Sequence, residues 1–304
     1  MDTSSRFLCS LFTGLFLLTS LTLTALPAFA GEGFSLQDSP GQHLDIHLDG
    51  VLVARYMYAH DRSTPERLHE TYKPYLHVSD ADASRTITKG PGGLYTHHRG
   101  IFIGWNRIQA GEKTHDRWHM KEGEIVHRTF KRTEAGRREA TVTSETVWND
   151  DADKPLLVEE RTMIFRRAPS PARMIIDFSS TLRAFGQDLK LDGDPEHAGV
   201  QYRPADEVVK GETTYVFPRE DADPKKDLDY PWVGETYTLD GKRHSVVHLN
   251  HPANPKQTIY SAYRDYGRFG AFFRAPVRVG QPLTIRYGFV VADGEMPPDR
   301  KSVV

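Results

Sequence analysis

A chain of 304 residues with 38% hydrophobic and 26% charged residues is long enough to bury a sizeable core without covalent staples. Its formal net charge of -2 is spread over charges of both signs, and no basic block could neutralise a run of phosphates, which argues against nucleic acid as a partner. The single cysteine, Cys9, leaves residues 31–304 without a thiol, so disulfides, thiolate metal sites and cysteine nucleophiles are excluded there.

The first thirty residues have the three parts of an export signal. Arg6 lies in a short polar start, an apolar run extends from Phe7 to Leu23, and Ala28-Phe29-Ala30 is a small-x-small cleavage site. Residues 1–30 are therefore expected to be removed, giving a periplasmic or secreted protein that begins at Gly31. Beyond Ala30 no run approaches the ~20 apolar residues of a spanning helix, so no membrane insertion is expected after cleavage.

Short alternating or β-branched segments then recur to the end of the chain. They are Leu44–Leu48, Val51–Tyr58, Ile101–Trp105, Glu124–Phe130, Ala140–Trp148, Leu156–Phe165, Met174–Leu182, Thr214–Phe217, Ser245–Leu249, Gly270–Phe273 and Leu283–Val291. In Leu156–Phe165 a period of two places Glu160, Thr162 and Ile164 on one face and Glu159, Arg161, Met163 and Phe165 on the other, the mainly buried one. Turn signals such as Asp49-Gly50, Asp192-Gly193 and Asp240-Gly241 punctuate the strands, and no window carries a helical stripe long enough for a major helix. The fold class expected is all-β, a large antiparallel β-sandwich with few short helices, formed by residues 31–304 as one domain. The polar stretch Arg219–Asp229 reads as a long surface loop.

Three polar clusters dominate the chemistry. Gly90-Pro91-Gly92-Gly93-Leu94-Tyr95-Thr96-His97-His98-Arg99-Gly100 brings two imidazoles and a guanidinium to the entrance of an apolar strand. In His115-Asp116-Arg117-Trp118-His119 a ring flanked by polar groups suits the apolar face and hydroxyls of a sugar, although a charged loop with Trp118 tucked into the core fits the pattern somewhat better. In Asp194-Pro195-Glu196-His197 the adjacent Glu196 and His197 form an acid/base-capable pair, and Gln201 and Arg203 share a strand face beyond it. Later come His248 and His251, the latter in His251-Pro252-Ala253-Asn254-Pro255, and then the polar cluster Arg264-Asp265-Tyr266-Gly267-Arg268. Histidine and carboxylate here admit a divalent metal, but no ligand spacing fixes one. No phosphate-cradling glycine motif and no Gly-x-Ser-x-Gly elbow is present, so neither a nucleotide cofactor nor a serine triad is expected.

Several of these segments resemble an exported bacterial family labelled "methane oxygenase PmoA". They are Tyr72-Lys73-Pro74-Tyr75-Leu76-His77, Thr96-His97-His98-Arg99-Gly100 with Ile101–Trp105, Glu196-His197-Ala198-Gly199, His251–Pro255 and Leu283–Val291. A methane monooxygenase is not implied, because its membrane subunit is built of spanning helices. The resemblance implies a supersandwich similar to galactose mutarotase-like folds, where a histidine and a carboxylate exchange protons with a sugar. Carried over by residue type, it implies Glu196, His197 and His97 as proton-transfer groups, and His98, Arg99, Trp118, His119, Gln201, Arg203 and His251 as ligand binders. The expected activity is the processing of a sugar or modified glycoside. The alternatives are a non-catalytic glycan-binding module and a structural envelope protein.

Overall fold

The computed structural model describes residues 31–296, and the expected leader at 1–30 lies outside them. Three antiparallel sheets account for the twenty strands described. The first has the order Phe34–Ser39, His43–Leu48, Val51–Met57, Tyr75–Val78, Ile101–Trp105, Ala198–Tyr202, Phe269–Phe272, Ile259–Tyr260. The second runs Thr214–Val216, Trp232–Leu239, Lys242–Asn250, Leu283–Asp293, Ala172–Ala184, Pro155–Arg167, Glu139–Asn149, Ile125–Ala135. A small third sheet holds Ala275–Val277, Leu189–Asp192, Arg107–Ala110 and Lys113–His115.

The two large sheets pack face to face. One apolar cluster draws Ile46, Tyr56 and Val200 from the first sheet and Val142, Met163, Ile176 and Phe289 from the second. From Val158 to Arg167 the buried positions are Glu159, Arg161, Met163 and Phe165, as the period of two predicts. Burying two charges on that face is tolerated because Arg161 donates twice to Glu159, at 2.9 and 2.8 Å, and Trp148 Nε1 donates to the same carboxylate at 2.9 Å. Arg161 also donates to the Pro74 carbonyl, and Tyr56 shares a hydrogen bond with Ser144 at 2.9 Å, so polar ties cross the interior.

Each of the eleven expected segments falls on a strand. The hairpin turns Asp49-Gly50 and Asp240-Gly241 have positive φ at both residues, the backbone that two-residue hairpins require. One α-helix is described, Pro65–Thr71, with Thr64 accepting from Arg67 N at its start, Pro65 in its first turn and Pro74 shortly beyond its end. Arg219–Asp229 contains no strand.

Candidate functional site

Strands alternate their side chains between faces, so where Ile101, Ile103, Val200 and Tyr202 enter the core, Phe102, Gly104, Gly199 and Gln201 turn to the outer face of the first sheet. Register brings these into rows. Phe102 and Gly270 flank Gln201, and Gly104 lies opposite Gly199. On this floor Phe102, Tyr75 and Trp118 form a small apolar cluster of their own, with ring centroids 4.7 Å apart for Phe102 and Trp118. The Lys73 ammonium stands 4.7 Å from the Phe102 ring and donates to the Trp118 carbonyl at 2.8 Å. Burial pushes the Lys73 pKa well below the usual lysine range.

Above the floor four histidines meet. Ring centroids are 4.5 Å apart for His97 and His98, 4.6 Å for His97 and His119, and 5.1 Å for His119 and His197. Two of them sit in the same local device. Asp116 accepts backbone N–H groups from Trp118 and His119 at Oδ1, and His119 Nδ1 meets its Oδ2 at 2.7 Å. Asp194 accepts from Glu196 N at Oδ1, meets His197 Nδ1 there at 2.8 Å, and accepts from Asn106 at Oδ2. Burial works against both carboxylates, but the hydrogen bonds and the neighbouring histidines prevail and hold their pKa values below the ordinary one. With Nδ1–H given to a carboxylate, each Nε2 carries a lone pair, and neither Nε2 has a protein partner among the described residues.

His97 and His98 differ from these. Burial, with Lys73, His119, His197 and Arg99 adding positive charge nearby, holds His97 down to about 3. Burial depresses His98 further. Both are neutral imidazoles at neutral pH, and His97 Nε2 and His98 Nδ1 are buried without a partner.

Glu196 does not pair with His197, its neighbour in sequence. Its Oε1 accepts from the Tyr263 hydroxyl at 2.8 Å, its Oε2 accepts from Arg264, and Arg268 stands 3.9 Å away. Burial raises its pKa, but these donors outweigh it and keep the carboxylate ionised. Arg268, itself buried, donates to Gln201 Oε1 at 3.1 Å and has no hydrogen-bond partner at Nη2. Each oxygen of Asp116, Asp194 and Glu196 accepts at least one hydrogen bond, so proton transfer falls to the imidazoles.

Other residues singled out in the sequence have different surroundings. Trp118 is fully buried, so its ring presents no face to a ligand; the exposed ring here is Tyr95, 5.2 Å from His98 and 5.1 Å from Tyr266. Arg99 is buried and spends its guanidinium on the carbonyls of Thr96, His98 and His69, pinning the loop. Arg203 likewise donates to Pro204 and Tyr266 carbonyls and to Asp206. Gln201 is buried in the floor. His251 lies apart from the cluster, exposed, and lines a cavity on the second sheet with Trp232, Leu249 and Arg286. Asp116, Asp194 and Arg268 stand in polar clusters of the sequence without an assigned role, and Lys73 and Tyr263 were not singled out as site residues. The signal for the first two is the repeated spacing Asp-x-x-His, at Asp116–His119 and Asp194–His197. Among the described residues no three His, Asp or Glu side chains are gathered closely enough to hold a metal ion.

The fold and this cluster define an all-β sandwich protein with an imidazole–carboxylate site on the outer face of one sheet. The chain belongs to a family of unknown function, DUF6807, whose profile matches residues 43–303. That match carries no methane oxygenase label. Among the described residues no helix is long and apolar enough to cross a membrane. No curated protein matches the sequence. Among solved structures, the chain is similar to heparan sulfate lyase HepC from Pedobacter heparinus, with 10% identity, TM-score 0.35, and 88% of this chain and 36% of that one covered. It is also similar to a putative kojibiose phosphorylase from human microbiome, with 9% identity, TM-score 0.36 and coverage of 83% and 28%. A third likeness is to 4-alpha-glucanotransferase from Thermococcus litoralis, with 14% identity, TM-score 0.30 and coverage of 87% and 36%. The chain thus spans about a third of the length of these structures.

Proposed function

We propose that this protein is an enzyme that binds a carbohydrate-like ligand at the histidine cluster and moves protons on it. The observation that carries this reading is the pair of Asp-held imidazoles, His119 and His197, which face each other at 5.1 Å with Nε2 unengaged. Such a group accepts a proton at Nε2 and, once protonated, returns it, which is the work of general acid–base catalysis. Tyr95 supplies an exposed ring for the apolar face of a sugar, and the buried nitrogens of His97 and His98 supply polar contacts. With the leader at 1–30 removed, residues 31–304 would work as one domain in the periplasm or outside the cell.

The test is turnover and ligand-induced melting shifts with a panel of sugars and modified glycosides. Turnover should fall roughly 10²-fold or more in His119→Ala or His197→Ala if they transfer protons. A loss of tenfold or less, with the melting shift intact, would leave the cluster as a binding surface only.

A further inference from the structure

Three features of the cluster narrow its chemistry. The carboxylates of Asp116, Asp194 and Glu196 are each engaged at both oxygens, so the two-carboxylate arrangement that cleaves glycosides directly is not available. An imidazole is a weak base, and it takes a proton from carbon only where a neighbouring group stabilises the charge left behind. Such a group is present. Arg268 is 1% exposed and holds one N–H donor, at Nη2, without a hydrogen-bond acceptor. The ionised Glu196 stands 3.9 Å from this Nη2, beyond hydrogen-bond reach and with its Oε2 already accepting from Arg264, and the other carboxylic neighbour, Glu235, has its pKa pushed well above the usual range by burial. His98, 3% exposed, adds a second unpartnered nitrogen, at Nδ1, on a neutral ring.

We propose, building on the proton-transfer reading above, that the ligand is a sugar carrying a carbonyl group, and that the site removes the proton from the carbon beside that carbonyl. His119 Nε2 takes the proton: the C–H bond breaks and an N–H bond forms. The C–H electron pair becomes a carbon–carbon double bond, and the carbonyl π pair moves to oxygen. The resulting enolate oxygen is met by Arg268 Nη2 and a neutral imidazole, preorganised donors that strengthen as charge develops. His119 then gives the proton back: to carbon, as the enolate pair re-forms the carbonyl, or to an oxygen leaving from the next carbon, as the carbonyl re-forms, the carbon–carbon double bond shifts one carbon along and the C–O bond breaks. No oxidant or reductant is consumed.

The experiment is proton NMR in deuterium oxide with glycosides oxidised to a ketone on the ring, beside their unoxidised parents. The oxidised sugars should lose the signal of the proton next to the ketone. That exchange should slow roughly 10²-fold or more in His119→Gln and in Arg268→Gln. Arg268→Lys is made as well, because loss of a buried guanidinium can unfold the chain, a risk that is smaller for the partly exposed His119. If folded protein turns over parent sugars but leaves the oxidised ones unexchanged, the carbonyl inference is overturned and the proton-transfer reading stands. If neither class is bound or changed, both fall.

Discussion

At the scale of single residues, the site depends on which carboxylate faces which imidazole. Asp116→Asn keeps an oxygen for the Trp118 and His119 N–H groups but turns an amide N–H toward His119 Nδ1. The ring proton then moves to Nε2, and the base is lost. Turnover should drop roughly 10²-fold or more while the melting temperature changes by only a few degrees; an unchanged rate would remove His119 as the base. A second expectation concerns acid. Burial holds His97 and His248 down to about 3, and His77 and His127 down to about 4. The unfolded chain protonates its histidines near pH 6.5. Between these values the unfolded state binds more protons, so stability falls as pH drops from about 6.5 towards 3, and these groups have no effect above that window. Melting temperatures read from pH 4 to 8 should show this slope, and His248→Phe should flatten it. An identical slope in the variant would contradict the account. The residue types of the site were legible in sequence, since every histidine and acid involved stands in a polar cluster. The pairing was not: Glu196 adjoins His197 in the chain, yet a tight turn carries them apart and gives His197 to Asp194.

Elements impose a different constraint, which is space. A Cβ at Gly104 would come within 2.1 Å of the Arg117 carbonyl, on the segment that leads into His119. Gly104→Ala should therefore push that segment off the sheet and cost activity out of proportion to stability, with His119 moved relative to His197. Gly199 has φ +88, and a Cβ there would lie 1.8 Å from the Ala271 carbonyl of the neighbouring strand. Gly199→Ala should cost about 3 kcal/mol by denaturant unfolding; a loss below about 1 kcal/mol would mean the strand pair can shift aside. Long strands were readable from alternation, whereas Ala198–Tyr202, buried at every position, shows none. The helix Pro65–Thr71 was not located in the sequence, because seven residues are too few to show a helical stripe.

For the whole molecule, the polar ties through the interior matter as much as the apolar cluster. Glu159 and Arg161 are both fully enclosed between the sheets. Arg161→Ala leaves a carboxylate uncompensated in the core and should cost about 3–5 kcal/mol, whereas Glu159→Leu with Arg161→Met should cost less than that single change. Equal losses in the two variants would show that packing, and not charge pairing, sets the stability. The layered architecture was legible in the sequence because alternation and turn chemistry repeat along its length. Which loops gather over one sheet was not, because strand order joins Ile101–Trp105 to Ala198–Tyr202 across some ninety residues.

Each imidazole of the facing pair is oriented by an acid three residues earlier in the same turn, so aim is decided within four residues and separation by the sheet beneath. A chain that has closed the turn has already armed the histidine, whatever the rest of the molecule is doing. Faults in this protein should therefore come in two kinds: turns that misdirect a ring, repaired only from within their own four residues, and strands that set two well-aimed rings at the wrong distance, repairable from anywhere in the sheet.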